Sequence, residues 1–173
     1  MNAVSDEAYS AQARRAAITL QIQAETGIDE AMIELLIRGF YARVREDALL
    51  GPIFAAKIEE WEPHLQKMFA FWSSVALMSG RYHGQPTARH LALPIDARHF
   101  DRWLALFAET ARDLCPRAAA ERFILLSRRI AESLELGLAS SQGVILRKGE
   151  RYSAAQGNSR AAPCMQATSS TSS

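Results

Sequence analysis

Ile33-Glu34-Leu35-Leu36-Ile37-Arg38-Gly39-Phe40-Tyr41-Ala42-Arg43-Val44 places apolar side chains at Ile33, Leu36, Ile37, Phe40, Tyr41 and Val44. Spacings of three and four put all six on one face of a helix, with Glu34, Arg38, Arg45 and Asp47 on the other side. Just upstream, Thr26-Gly27-Ile28-Asp29 has the form of a capping box, which predicts a helix start near Gly27. Gly51-Pro52 predicts its end.

The same period recurs downstream. A second helix is predicted from Trp61, with Pro63 tolerated in the first turn because its missing amide would have no intrahelical partner. Two stripes run along it: Trp61, Leu65, Met68, Trp72, Val75 and Ser79 on one side, and His64, Met68, Phe71 and Val75 beside them. Two glycines and two prolines make Gly80 to Pro94 a predicted loop, in which Pro86 can open one short turn carrying His90. A third helix follows the N-cap Asp96, with Phe100, Trp103, Leu104, Phe107, Ala111 and Leu114 inward. After Pro116 a fourth runs to about Leu136, burying Phe123, Leu126, Ile130 and Leu134. No strand pattern interrupts this all-α reading.

Residues 1–26 read as an N-terminal extension: alanine-rich from Ser5 to Gln23 and only loosely periodic, they form an extra helix or a frayed arm outside the core. Residues 137–173 shift to Ser, Ala, Gln, Gly and Thr, a composition that predicts a disordered tail. Between them, 27–136 makes one helical domain.

Composition narrows the function. With 173 residues, 49% of them hydrophobic, the chain can bury a real core. Twenty basic against 19 acidic residues leave a formal charge of +1, which argues against nucleic acid as a partner and for a small one. Met1 to Glu7 lack a basic, then apolar, leader, and no apolar run approaches the ~18 residues of a membrane span, so a soluble cytoplasmic protein is expected. Cys115 and Cys164 are isolated, which disfavours a disulfide framework or a zinc site.

Four long helices in two antiparallel pairs leave a central slot, and a flat metal cofactor there needs an axial donor on one side and ligand control on the other. His90 and His64 are the candidates. Tyr41 and Trp103, on inner faces, each combine an apolar body with a polar hydrogen that needs a partner when buried. Taken singly, each has a plainer reading: a lone histidine on an apolar face is more often core than ligand, Tyr41 and Trp103 alone read as core, and Phe69, Phe71 and Trp72 as packing. His83 and His99 read as a loop residue and a first-turn residue. A di-iron carboxylate site would need paired Glu-x-x-His motifs, and no histidine has Glu three residues before it; HExxH, Walker, GxSxG and GxGxxG patterns are also missing.

Phe40 to Asp47, Leu50-Gly51-Pro52-Ile53-Phe54, Trp61-Glu62-Pro63-His64 and Phe71-Trp72, followed in order by Tyr82, Gly84-Gln85-Pro86, His90-Leu91, Leu93-Pro94 and Phe100 through Trp103-Leu104 to Phe107, resemble the truncated haemoglobins, specifically group III. The resemblance spans roughly Gly27 to Leu136. Groups I and II usually carry paired glycines between helices, and this chain has no Gly-Gly. The N-terminal extension and the long tail depart from the family pattern. The resemblance implies a two-over-two helical sandwich enclosing haem b. It also implies residue roles: His90 as proximal iron ligand, His64 as distal histidine, Tyr41 and Trp103 as distal hydrogen-bonding pair, and Phe54 as the haem wedge. Met68, Phe71 and Trp72 would line or back the distal side, and Tyr82 joins the haem-lining set.

On that reading the chain binds O2 reversibly, together with NO and CO. Donors to a charged partner contribute about 1.5–3 kcal/mol each, so Tyr41 and Trp103 would slow O2 release. Such a protein suits redox chemistry, such as NO oxidation or peroxide turnover, better than bulk O2 transport, with His64 gating entry or moving protons. Turnover needs an external reductase as partner, since the sequence shows no flavin or nicotinamide motif. Two alternatives stand beside it: a ligand sensor or storage globin acting through its exposed ends, and a haem-free helical interaction module on the same scaffold. The oligomeric state is left open.

Overall fold

A computed structural model describes residues 3–84 and 93–153, with side chains from Ala11 onward. Every regular element among them is helical: α1 Ala3–Thr26, α2 Glu30–Glu46, α3 Gly51–Ala55, α4 Trp61–Leu77, α5 Ala97–Leu114 and α6 Arg117–Ser141. The short turn predicted around His90 lies outside the described residues.

The predicted face of α2 is its buried face: Ile33, Leu36, Ile37, Phe40, Tyr41 and Val44. It packs on both α4 and α5, while α5 packs on α6 and α4 also meets α6, giving two helix pairs laid one over the other. Phe40, Phe107 and Phe123 are sealed where these helices cross, each contributing on the order of 1.5–3 kcal/mol by leaving water. The buried hydroxyls of Thr110 and Ser127 donate back to Leu106 O and Ile124 O, so neither is left unsatisfied.

The capping box expected at Thr26 to Asp29 is not what starts α2. Asp29 is the N-cap, its carboxylate accepting from Met32 N at 2.8 Å, and the helix begins at Glu30. Thr26 belongs to the end of α1, where its hydroxyl donates to Ile22 O at 2.6 Å, and Gly27 at φ +71° supplies the left-handed residue that stops that helix. Two helices meet within three residues, so end signals of the first overlay start signals of the second. The capping box proper forms at Asp96: its carboxylate caps Arg98 N, and the ring of His99 accepts from the Asp96 amide at 3.1 Å.

α1 is one 24-residue helix, and its last turns are not outside the core: Ile22 is buried and Thr19 donates to Leu77 O at 2.6 Å. At the other end α6 continues past the predicted stop near Leu136 to Ser141. Leu138, Ala139 and Tyr152 form a small second core with Phe100 and Ala131. The buried carboxylate of Glu135 accepts from Tyr152 N at 2.8 Å and from Arg151 Nε, fastening the segment beyond the helix. The polar composition after Gly137 therefore hides packing contacts as far as Tyr152; residues 154–173 lie outside the described part.

Two stability predictions arise here. A Cβ on Gly51, at the start of α3, would stand 2.9 Å from Arg45 O and 3.3 Å from Val44 O. Because the obstacle is backbone, Gly51→Ala should lower stability by about 1–3 kcal/mol in a denaturant titration, and an unchanged midpoint would contradict this close approach. At Asp96, burial opposes ionisation, but hydrogen bonds from the Arg98 guanidinium and backbone amide prevail and hold its carboxyl below the usual range. Its contribution is therefore complete above the ordinary aspartate range of about 3.9 and is lost as pH falls through the lower folded value. Asp96→Ala should cost about 1 kcal/mol near pH 7, shrinking towards pH 2; a cost independent of pH would remove the carboxylate from that account.

Candidate functional site

α4 is the wall of the site. Its buried side is Leu65, Trp72, Ser73, Ala76 and Leu77, whereas His64, Met68, Phe71 and Val75, on the neighbouring stripe, are only partly buried. Glu60 precedes the helix without a side-chain cap. The first turn is instead pinned to α2 by Arg38, whose guanidinium donates to both carboxylate oxygens of Glu62 at 2.9 and 2.8 Å. His64, two residues on, is thus held opposite the middle of α2.

There it meets Tyr41. The two rings lie 5.0 Å apart and perpendicular. Phe54 from α3 stands edge-on to Tyr41 at 5.8 Å, and Trp61 is 6.0 Å from Tyr41 and 6.1 Å from His64. Burial pushes the Tyr41 phenol above its usual range, so it stays a neutral hydroxyl.

Trp103 reaches the cluster through Phe40, which lies 5.4 Å from Trp103 and 5.1 Å from Tyr41; its own indole stacks on Phe107 at 5.2 Å. At the far end of α4, Phe71 and Tyr82 pack edge-to-face at 5.2 Å, and Tyr82 N donates to Ser74 Oγ at 2.7 Å, tying down the chain as it leaves the helix.

Tyr41, Phe54, His64 and Trp103 are thus joined by ring contacts directly or through Phe40, Phe71 and Tyr82 meet at the far end of α4, and Met68 lies between His64 and Phe71 on their stripe. Trp72 is different: it is buried, stacked on Phe107 at 4.7 Å and edge-on to Phe123, so it backs the wall from within the core. His90 lies outside the described residues. Trp61 and Phe40 were not singled out as site residues from sequence. The available signal was Trp61 three positions before His64, hence on the same side of one helical turn. Arg45 also lies over the Trp61 ring at 5.0 Å.

The chemistry available is that of a neutral phenol, an imidazole and an indole N–H collected beside partly buried aromatic and thioether side chains. That set suits a small polar ligand held against a large flat apolar group.

The model of the bacterial-like globin family matches residues 24–127. Among curated relatives, "Group 3 truncated hemoglobin ctb" of Campylobacter jejuni is 42% identical over 88 residues, covering 48% of this chain and 69% of the relative. Among solved structures, the crystal structure of group III truncated hemoglobin from Campylobacter jejuni superposes with a TM-score of 0.58 at 35% identity, covering 62% of this chain and 88% of that one. With its helix pairs and these matches in agreement, the chain belongs to the bacterial-like globin family, in the group III truncated haemoglobin branch.

Proposed function

We propose that this chain holds haem b against the partly buried stripe of α4, with His90 as the residue that would hold its iron, and binds O2 and other diatomic ligands beside Tyr41, His64 and Trp103. Haem-based ligand binding follows from membership of the globins. The residues present fit the group: Phe54, Met68, Phe71, Val75 and Trp103 are only partly buried although they pack on the main core, and a flat apolar surface laid over them would complete their burial. The observation that carries the reading is the buried, neutral Tyr41 hydroxyl set 5.0 Å ring-to-ring from His64.

Haem, when bound, supplies an iron that takes diatomic ligands and exchanges electrons. The rest belongs to the chain. Tyr41, kept protonated by burial, donates its hydroxyl hydrogen to a polar ligand. Trp103 can only donate, so it favours a ligand that accepts. His64, in the first turn of α4 with Trp61 beside it, stands where a proton can be held or passed at an imidazole nitrogen. Strong donors retard release and favour turnover over carriage, so the further proposal is NO or peroxide consumption driven by an external reductant.

Absorption spectra of haem-supplemented protein, ferric and dithionite-reduced with and without CO, test the binding claim. Stoichiometric haem with a CO adduct is expected; a colourless protein would dismiss it. NO consumption by the oxygenated protein tests the redox claim, which a rate equal to that of the haem-free chain would remove.

A further inference from the structure

The corner where α2 gives way to α3 is built on one carboxylate. Asp47 follows α2 directly, and its Oδ1 accepts from Leu49 N at 3.0 Å and Leu50 N at 2.9 Å. Its backbone oxygen takes Gly51 N at 2.8 Å, so Asp47 shapes the entry to α3, which carries Phe54. Its other oxygen accepts from Arg102 Nε on α5 at 2.6 Å. The Asp47 side chain is 6% exposed and that of Arg102 42%. A buried carboxylate with both oxygens engaged and a half-exposed guanidinium is a directional link between two elements.

Arg102 immediately precedes Trp103. The link therefore fixes the stretch of α5 that carries the indole against the corner joining the helix of Tyr41 to the helix of Phe54. No helical period requires this contact: the residues are 55 positions apart. Trp103 is otherwise held by ring contacts with Phe40 and Phe107, which an indole can satisfy over a range of tilts. A fixed anchor one residue away narrows that range.

We propose, on the haem-binding reading above, that Asp47 and Arg102 are positioning residues that set the Trp103 indole for donation to the bound ligand. Asp47→Asn keeps an oxygen for the Leu49 and Leu50 amides but opposes a donor to the guanidinium, and Arg102→Ala leaves the corner capped. Either variant breaks the link while a side-chain oxygen at position 47 still accepts from the Leu49 and Leu50 amides, so the turn keeps its cap.

The test uses the full chain labelled with 5-fluorotryptophan, its three resonances assigned through Trp61→Phe and Trp103→Phe, which leave that of Trp72. Asp47→Asn and Arg102→Ala should each shift the Trp103 fluorine resonance and leave that of Trp72 in place, with or without haem. In the reduced protein both should change O2 dissociation about two- to tenfold and redistribute the C–O stretching bands of the CO form. Both effects should vanish in a Trp103→Phe background. A wild-type chain that takes up haem but whose variants leave the Trp103 resonance, or the rate and bands, unmoved overturns the positioning role alone. The same is true of effects that persist without Trp103. A wild-type chain that takes up no haem overturns the ligand role together with the reading on which it rests.

Discussion

His90→Ala should abolish stoichiometric haem binding. With His90 as the residue that would hold the iron, its removal costs more than the ten- to hundredfold that outer-shell changes cost at metal sites, so haem retention should fall at least about 100-fold. The measurement is the Soret absorbance of the gel-filtered protein, followed by haem transfer to a competing apoprotein. His83, exposed in the same stretch of chain, is the control: His83→Ala should keep the wild-type spectrum. Added imidazole should restore part of the His90→Ala spectrum by replacing the missing donor. A His90→Ala protein that keeps the wild-type spectrum unaided would dismiss His90 as ligand.

The second large effect concerns release. Tyr41→Phe keeps the ring that packs on Phe54 and Trp61 and deletes only the hydroxyl, so what changes is hydrogen bonding rather than the fold. A donor to a charged acceptor contributes about 1.5–3 kcal/mol, and ~1.4 kcal/mol is tenfold, so O2 dissociation should accelerate about ten- to hundredfold. Trp103→Phe should act in the same direction. The double variant should fall short of the product of the two, because two donors sharing one small acceptor are coupled. Stopped-flow displacement of O2 by CO measures all three. Unchanged rates in both single variants would take the pair out of ligand control and leave His64 as the remaining polar candidate.

Much of the site could be read from sequence because its residues recur at helical intervals. His64, Met68, Phe71 and Val75 form one stripe of α4 by spacing alone, and the structure keeps them together and partly exposed. Tyr41 falls on the inner face of α2 by the same count. Trp72 shows the limit of that reasoning. Its stripe passes through Met68 and Val75 as well, and only packing on Phe107 and Phe123 turns it into the core while its neighbour Phe71 faces Tyr82. Adjacent stripes on a helix differ by a fraction of a turn, and which one faces the core is set by how the partner helix crosses.

The amino-acid sequence by itself determined that this chain is helical, roughly where the helices of the domain lie, and the buried face of α2, because period, caps and breakers act over a few residues. On α5 and α6 the buried faces are turned from the expected ones: Leu106, Thr110, Ile124, Ser127 and Ala131 are buried, whereas Trp103, Leu104, Leu114, Leu126, Ile130 and Leu134 are only partly so. Tertiary structure alone decided what distant residues do to one another. It joined Asp47 to Arg102, forked Arg38 onto Glu62, and carried α6 past its expected end so that Glu135 could take the amide of Tyr152. It also made Thr26 and Gly27 the end of α1 rather than the start of α2. Such contacts depend on where helices cross and how far side chains reach. Local composition encodes neither, which is why a segment that reads as polar tail can close part of the core.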